Sequence, residues 1–161
     1  EILAIYNTYF LHNDSENWRR SVFRYAMIIY NHYTAAGMAF VGEHPRFYWH
    51  IQGINTFVIS SQSMQKTSRK LCKQIDFVFA CAIMHETGHT FGIDFMFPAG
   101  CDNIGTSRPS SLAFWLFGNY KSCMNYRYVY SILDYSDGSH GLFDYDDWSN
   151  LNLLFFEKKD G

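Results

Sequence analysis

The residue types best suited to chemistry are two histidines and a glutamate in the segment 85–89, which reads HETGH. Histidines four residues apart lie one turn above each other on the same face of an α-helix, so their imidazole nitrogens can bind one Zn²⁺. Glu86 is rotated by about 100° from His85 around the helix, so its carboxylate lies beside such a metal. There it can accept a proton from a water molecule that the metal activates. The spacing predicts a zinc site with His85 and His89 as ligands and Glu86 as general base.

The alternative interpretation of this segment is a pair of surface histidines at the end of a helix. Three apolar residues just upstream, Cys81, Ala82 and Ile83, argue instead for a buried helix. Gly92 then ends the helix and a long irregular segment follows, and such loops are commonly functional. The context therefore favours the metal site.

The longer stretch 85–92, HETGHTFG, resembles the signature of the metzincin clan of zinc metallopeptidases. Members of that clan read HExxHxxGxx followed by a third zinc ligand, and the glycine lets the chain turn sharply beneath the metal. Gly92 matches that glycine. The third ligand of the clan lies six residues after the second histidine, where this chain has Phe95, which cannot bind zinc. The resemblance thus implies a metzincin-like site with an atypical third ligand.

Several nearby residues are candidates for that third ligand. Asp94 is one residue short of the expected position, and Asp102 lies on a longer excursion of the same loop. Carboxylate oxygens are suitable zinc ligands. Cys101, His140 and a water molecule are further alternatives, whereas loop capping, an Asx-turn and a disulfide are the ordinary roles of Asp94, Asp102 and Cys101. We expect either Asp94 or Asp102 to complete the site.

A second resemblance lies downstream, where residues 122–126 read SCMNY. This segment is similar to the metzincin Met-turn, in which a methionine forms an apolar floor under the zinc ligands. Met124 occupies that position. The resemblance also implies a role for Tyr126, since in some members a tyrosine two residues after the methionine stabilises the developing oxyanion. Core packing for Met124 and a surface position for Tyr126 are the alternatives.

The four cysteines suggest one disulfide at most. Cys101 and Cys123 bracket the loop between the zinc region and the Met-turn, so a bridge between them would fasten both sides of the site. Cys72 and Cys81 are nine residues apart on one predicted helix and point in opposite directions, so they cannot pair with each other. We expect the first two to form a disulfide and the other two to be buried thiols.

The elements that would position these residues follow from the spacing of apolar residues along the chain. The pattern predicts strands at residues 2–11, 38–41, 47–51 and 56–60. It predicts helices at residues 16–36, 68–91 and 144–157, with an irregular segment at 94–121. The chain is predicted to form one α+β domain, residues 1–161. The metzincin resemblance implies a twisted mixed sheet with a backing helix and an active-site helix, and an irregular lower half closed by a C-terminal helix.

Composition excludes several other classes of protein. The 161 residues are 48% hydrophobic and 19% aromatic, which excludes an intrinsically disordered chain. The 13 basic and 15 acidic residues give a net charge of −2, so nucleic acid is not expected as a partner. No run of 18 apolar residues occurs, so no membrane span is expected. The chain begins at Glu1, and we expect a processed protein located outside the cell or at its surface, with any pro-segment or inhibitor outside this chain.

The resemblance implies a hydrolase, a zinc-dependent endopeptidase whose substrate is a polypeptide. Glu86 is then the general base and Tyr126 a second catalytic residue. One alternative is a gluzincin-like peptidase in which Glu157 binds the metal. Another is a catalytically inactive module that zinc stabilises, for which a closed shell with Cys101 as the fourth ligand would be typical. Glu86 separates these functions, because a purely structural site does not need it.

Overall fold

The computed structural model describes residues 1–32, 35–40, 56–93 and 98–152. The protein has the predicted α+β composition, with a small mixed sheet and several helices. None of the helices in these described ranges is long and apolar enough to cross a membrane.

Three strands form the sheet in the order β1-β3-β2. They are β1 Tyr25–Ile29, β2 Gly37–Phe40 and β3 Thr56–Ser60. The central strand β3 is parallel to β1 and antiparallel to β2, with Val58 opposite both Met27 and Met38. All residues of β3 are buried, which explains why its short continuous apolar run predicted it correctly. The prediction for β2 is confirmed with a shift of one residue, and the strand predicted at residues 47–51 lies outside the described residues.

The N-terminal predictions are wrong. Residues predicted as a strand form the helix α1 Ile2–Ile5 and a π-helical turn, Tyr6–Phe10. Tyr6, Phe10 and Leu11 are buried together, and the spacing of four between the two aromatic residues is that of a helix rather than a strand. The β-branched and aromatic composition of this segment favours a strand, but the four-residue spacing of its buried aromatic residues indicates the observed helix.

The backing helix predicted at residues 16–36 is also absent from the described part of that range. Only the short helix α2 Arg19–Val22 forms there, and Phe23 is already extended. The chain then enters β1, where half-buried and exposed residues alternate. Because successive side chains of a strand point to opposite faces, Tyr25, Met27 and Ile29 lie on one face of the sheet. The sequence does not reveal this alternation, since Ala26 and Ile28 are apolar too.

The long helix predicted at residues 68–91 is two helices, α3 Ser61–Leu71 and α4 Ile75–Thr90. Cys72 separates them and adopts a left-handed conformation with φ 52°. The prediction that Cys72 is buried is wrong, because the capping position leaves it exposed, whereas Cys81 on α4 is buried as predicted.

Helix α4 lies at the centre of the molecule. It packs against β2, β3 and α3, where Val78 and Ala82 join a buried apolar cluster with Phe57, Ile59 and Met64. Farther along, Met84 packs against a second buried cluster that includes Met124 and Tyr135. The C-terminal end of α4 is thus enclosed between the sheet and the irregular second half of the chain.

The second half of the chain contains little regular structure. In residues 98–152, its helical segments are α5 Leu112–Leu116 and two 3-10 helices, Ile104–Ser107 and Trp148–Asn150. The helix predicted at residues 144–157 is wrong as far as the described residues reach. Asp147 is turned inward and fully buried, and the chain is extended again at Leu151. The rest of that prediction lies outside the described residues.

Candidate metal centre

His85 and His89 lie on the last turns of α4, with their Nε2 atoms 3.3 Å apart. The helix ends just beyond them in a Schellman motif, in which Ile93 N donates to Gly88 O and Gly92 N donates to His89 O. Gly92 has φ 91°, a conformation that glycine adopts without strain. The sharp turn predicted at Gly92 is confirmed, and it places the Ile93 carbonyl against the imidazole of His89.

Backbone carbonyls hold both imidazole rings in orientation. His85 Nδ1 lies 2.9 Å from Cys123 O, and His89 Nδ1 lies 2.7 Å from Ile93 O. A carbonyl oxygen only accepts hydrogen bonds, so each Nδ1 carries the proton. In the neutral tautomer this leaves both Nε2 lone pairs exposed to the space between the rings, which is the arrangement of metal-ligating histidines.

Asp102 is the third member of the group. Its Oδ1 lies 3.0 Å from His85 Nε2 and its Oδ2 lies 3.2 Å from His89 Nε2. The residue has φ 48°, and its backbone N–H donates to Met124 O over 3.1 Å. The structure therefore brings together His85, His89 and one of the two alternatives for the third ligand. The other alternative, Asp94, lies outside the described residues.

The donor set fits a divalent cation. Ligand atoms bound to a tetrahedral zinc at about 2.0–2.2 Å are roughly 3.3–3.6 Å apart. The two Nε2 atoms are 3.3 Å apart, and each has a different oxygen of Asp102 at 3.0 or 3.2 Å, slightly closer than that range. Asp102 Oδ1 is buried and has no hydrogen-bond partner, although His85 Nε2 lies so close. Unprotonated nitrogen and carboxylate oxygen repel each other, so a buried contact of this kind calls for a cation between them.

The pKa shifts point the same way. Burial alone would lower the pKa of His89, but the carboxylate of Asp102, with smaller contributions from Glu86 and Ile93 O, raises it to about 9. Burial opposes ionisation of Asp102, yet the charge of His89, whose Nε2 lies 3.2 Å from Oδ2, is the largest contribution against burial, and the pKa of Asp102 is held far below the usual range. The three groups thus favour a positive charge in the space between them.

Glu86 lies next to this group and is 6% exposed. Burial raises the pKa of its carboxyl group, while the two histidines and a hydrogen bond from the Ala39 backbone oppose that shift. Its side chain fills the space beside Gly37 in β2, where a Cβ atom would lie 2.8 Å from Glu86 Cδ. A buried carboxylate with a raised pKa, fixed between sheet and helix, is suited to accept a proton.

The segment 122–126 forms a tight turn, in which Asn125 N donates to Ser122 O over 3.1 Å. Met124 is fully buried, and it packs under α4 at Gly88, where a Cβ atom would lie 2.5 Å from its Sδ. The Tyr126 ring stacks on the His85 ring, with centroids 5.7 Å apart and planes inclined by 30°. Burial, together with the charges of Asp102 and Glu86, raises the pKa of Tyr126, so its phenol keeps its proton.

Several residues of this site could not be identified from the sequence. Gly37 directly follows the helix predicted at residues 16–36, but it is the first residue of β2 and makes room for Glu86. The carbonyls of Cys123 and Ile93 orient the histidines, and no side-chain type signals such a role. Tyr135 donates its hydroxyl to Met84 O over 2.7 Å, directly beside the first ligand in the chain.

The predicted disulfide is wrong. Cys101 and Cys123 are both fully buried in one apolar cluster, and no disulfide joins them. Burial raises the pKa of the Cys123 thiol, which is thereby kept protonated. The hydrogen bonds from His85 to Cys123 O and from Asp102 to Met124 O hold the two sides of the site together instead.

His140, another alternative for the third ligand, belongs to a different group of side chains with Asp137 and Asp144. Its Nδ1 lies 2.9 Å from Asp144 Oδ2, and Asp144 Oδ1 accepts from the Ser136 hydroxyl over 2.7 Å. Cys101 is not a member of either group that the described residues form. Neither residue therefore completes the centre at His85.

Comparison of the chain with protein-family models found no match, and comparison with curated proteins and with solved structures found none either.

Proposed function

We propose that the protein is a zinc-dependent endopeptidase with a metzincin-like catalytic domain. The observation that carries this proposal is the convergence of His85, His89 and Asp102 on one buried point, with the carboxylate of Glu86 beside it. Element order supports the finer fold assignment, since a sheet precedes the helix that bears the histidines and a buried methionine turn follows it.

The residues of this chain divide the chemistry among them. His85, His89 and Asp102 would hold a zinc ion, whose Lewis acidity would polarise the scissile carbonyl of a polypeptide and lower the pKa of a water molecule. Glu86 accepts the proton of that water and passes it to the leaving amine. Its burial makes it a stronger base than an exposed carboxylate, and Gly37 and the Ala39 N–H hold it in place.

Tyr126 and Met124 contact the same helix end and support the same centre. The Tyr126 phenol stays protonated and can donate a hydrogen bond to the carbonyl oxygen as negative charge develops there. Met124 provides a rigid apolar surface under the helix and, through its backbone carbonyl, fixes the position of Asp102. Three protein ligands leave a fourth position for water or substrate, as in catalytic rather than structural zinc sites.

The alternatives differ from this proposal at identifiable residues. A gluzincin-like peptidase would use Glu157, which lies outside the described residues, and Asp102 already occupies the third position. A zinc-stabilised module without activity would need a closed set of ligands and no base. Among the described residues, the group around His85 contains three ligands only, and Glu86 lies beside them.

The test is the substitution Glu86→Gln, which keeps the shape of the side chain beside Gly37 and removes its basicity. We expect the variant to bind zinc in the wild-type ratio and to lose cleavage of an unstructured polypeptide such as denatured casein. Asp76→Asn is the matched control, because Asp76 is an exposed acid on the same helix. A Glu86→Gln variant that cleaves at the wild-type rate would refute the proposed mechanism.

A further inference from the structure

Asp147 is a fully buried carboxylate outside the metal centre. Its Oδ1 accepts a hydrogen bond from the Tyr120 hydroxyl over 2.7 Å, and its Oδ2 accepts one from Ser136 N over 3.0 Å. The Ser122 hydroxyl is a further hydrogen-bond partner. All three donors are neutral, so the burial of this charge is compensated by hydrogen bonds alone. A buried polar network whose hydrogen bonds are satisfied makes the segments that it joins more rigid.

Tyr120 and Ser136 flank residues 122–125, which we call the Met124 turn, and Ser122 is the first residue of that turn. The Tyr120 carbonyl accepts from Asn125 Nδ2 over 2.9 Å, which ties Asn125 to the residue that Asp147 holds. On the other side, Asp147 N donates back to Ser136 O over 2.8 Å, so the two residues pair in both directions. Asp134, two residues before Ser136, accepts from Cys123 N over 2.8 Å. Asp147 therefore restrains the Met124 turn through both of its flanks.

The Met124 turn in turn holds two of the three predicted ligands. Its carbonyl at Cys123 accepts from His85 Nδ1 and fixes the tautomer and the ring orientation. Its next carbonyl, at Met124, accepts the backbone N–H of Asp102. A displacement of this turn would move the His85 ring and the Asp102 carboxylate together, whereas His89 is oriented separately by Ile93 O.

We infer that Asp147 is a positioning residue of the metal centre, which sets the geometry of His85 and Asp102 through the Met124 turn. This inference rests on the proposed function only in taking the bound metal to be zinc. The carboxylate is suited to the task because its two oxygens accept from donors on opposite sides. An amide offers one acceptor oxygen, and alanine offers none.

The experiment measures the metal centre directly rather than peptide cleavage. The 161-residue chain and its Asp147→Ala and Asp147→Asn variants are titrated with zinc against a chromophoric chelator. Their Co²⁺ forms are compared by visible absorption, which reports the coordination geometry. We expect Asp147→Ala to bind zinc about 10–100-fold more weakly than wild type, as is typical when a partner outside the ligand set is lost. We expect the zinc affinity of Asp147→Asn to lie between those of wild type and Asp147→Ala. Both variants should have an altered Co²⁺ spectrum.

Met64→Ala is the matched control for loss of stability. Met64 is as fully buried as Asp147 but belongs to the cluster between α3, α4 and the sheet. We expect it to lower the unfolding midpoint while leaving zinc affinity and the Co²⁺ spectrum of the folded protein unchanged. If Asp147→Ala does not fold, Tyr120→Phe replaces it. That variant removes one hydroxyl donor and should shift the spectrum in the same direction.

Wild-type zinc affinity and an unchanged Co²⁺ spectrum in the Asp147 variants, or in Tyr120→Phe, would overturn the inference. An equal change in Met64→Ala would overturn it too, since the effect would then be general destabilisation. Failure of the proposed function is separate from these results. It would be seen as absence of cleavage by wild-type protein whose zinc affinity and Co²⁺ spectrum still depend on Asp147.

Discussion

Gly37 provides a sharp test of the role of Glu86. It is the first residue of β2, and a Cβ atom added there would lie 2.8 Å from Glu86 Cδ and 2.9 Å from Cγ, with Oε1 closer still. Separations under 3.0 Å do not occur for real Cβ atoms, and ordinary contact begins at 3.4 Å. Gly37→Ala must therefore push the carboxyl carbon away by about 0.6 Å, the difference between 2.8 and 3.4 Å.

The expected consequence is a catalytic defect without loss of the metal. Misplacement of a reacting group by about 1 Å can cost about 10²-fold in rate, which corresponds to roughly 2.7 kcal/mol of activation free energy. A displacement of about half that size or more, with the Ala39 hydrogen bond disturbed as well, predicts a kcat lower by about 10- to 100-fold. The added atom does not meet His85, His89 or Asp102 among its nearest neighbours, so zinc affinity should not change.

The assay pairs initial rates on a polypeptide substrate with zinc content of the same preparation. Gly118→Ala is the control, because a Cβ atom there would also be close to a side chain, 2.8 Å from Arg127 Nη1, but that atom is the tip of a flexible chain remote from Glu86. We expect the control to retain wild-type kcat within about twofold. Gly37→Ala with wild-type kcat and full zinc would refute the assignment of Glu86 as a base held by this packing.

Two further predictions concern the turn below the metal. Tyr126→Phe should lower kcat by about 10²–10³-fold with little change in KM, as expected for loss of one donor to a developing oxyanion; steady-state kinetics with an unchanged kcat would remove Tyr126 from the mechanism. Gly88→Ala places a Cβ atom 2.5 Å from Met124 Sδ and 3.0 Å from Tyr135 Cε1. Overpacking of about 1–3 kcal/mol, partly offset by about 1 kcal/mol of alanine helix propensity, should lower both the free energy of unfolding and zinc affinity. Denaturant titration and chelator competition would check this, and unchanged values in both would show that Met124 does not support the site.

The part of the site that the sequence predicts is the part that lies on one helix. His85, Glu86 and His89 have positions that follow from helical geometry alone, because their separation in sequence sets their separation in space. Gly92 is likewise recognisable, since the end of a helix that reverses sharply favours glycine. No knowledge of the remaining fold is needed for either inference.

The third position could not be chosen from the sequence because it depends on the path of a loop. Asp102 reaches the histidines with φ 48° and is held by Met124 O, a contact over 22 residues that no local pattern encodes. The simple spacing of the metzincin signature points to Phe95, whereas the carboxylate found beside the histidines comes from Asp102, farther along the loop. The position of Asp102 beside the histidines thus depends on a tertiary hydrogen bond, from its backbone N–H to Met124 O.

The errors in secondary structure have a related cause. Residues 16–36 and 2–11 are rich in apolar residues on both possible faces, so that helical and strand periods compete. Burial of Tyr6 with Phe10 selects a helix in one segment, and alternation around Met27 selects a strand in the other. In the described part of the predicted helix 144–157, Asp147 is fully buried and the chain is extended again at Leu151.

The most direct test of the zinc site is anomalous diffraction at the zinc absorption edge from crystals of the protein loaded with one equivalent of zinc. We predict one peak about 2.0–2.2 Å from His85 Nε2, His89 Nε2 and an oxygen of Asp102, with Glu86 beside it and not bound to it. A peak at Asp137, His140 and Asp144 instead, or coordination at His85 that omits Asp102, would contradict it.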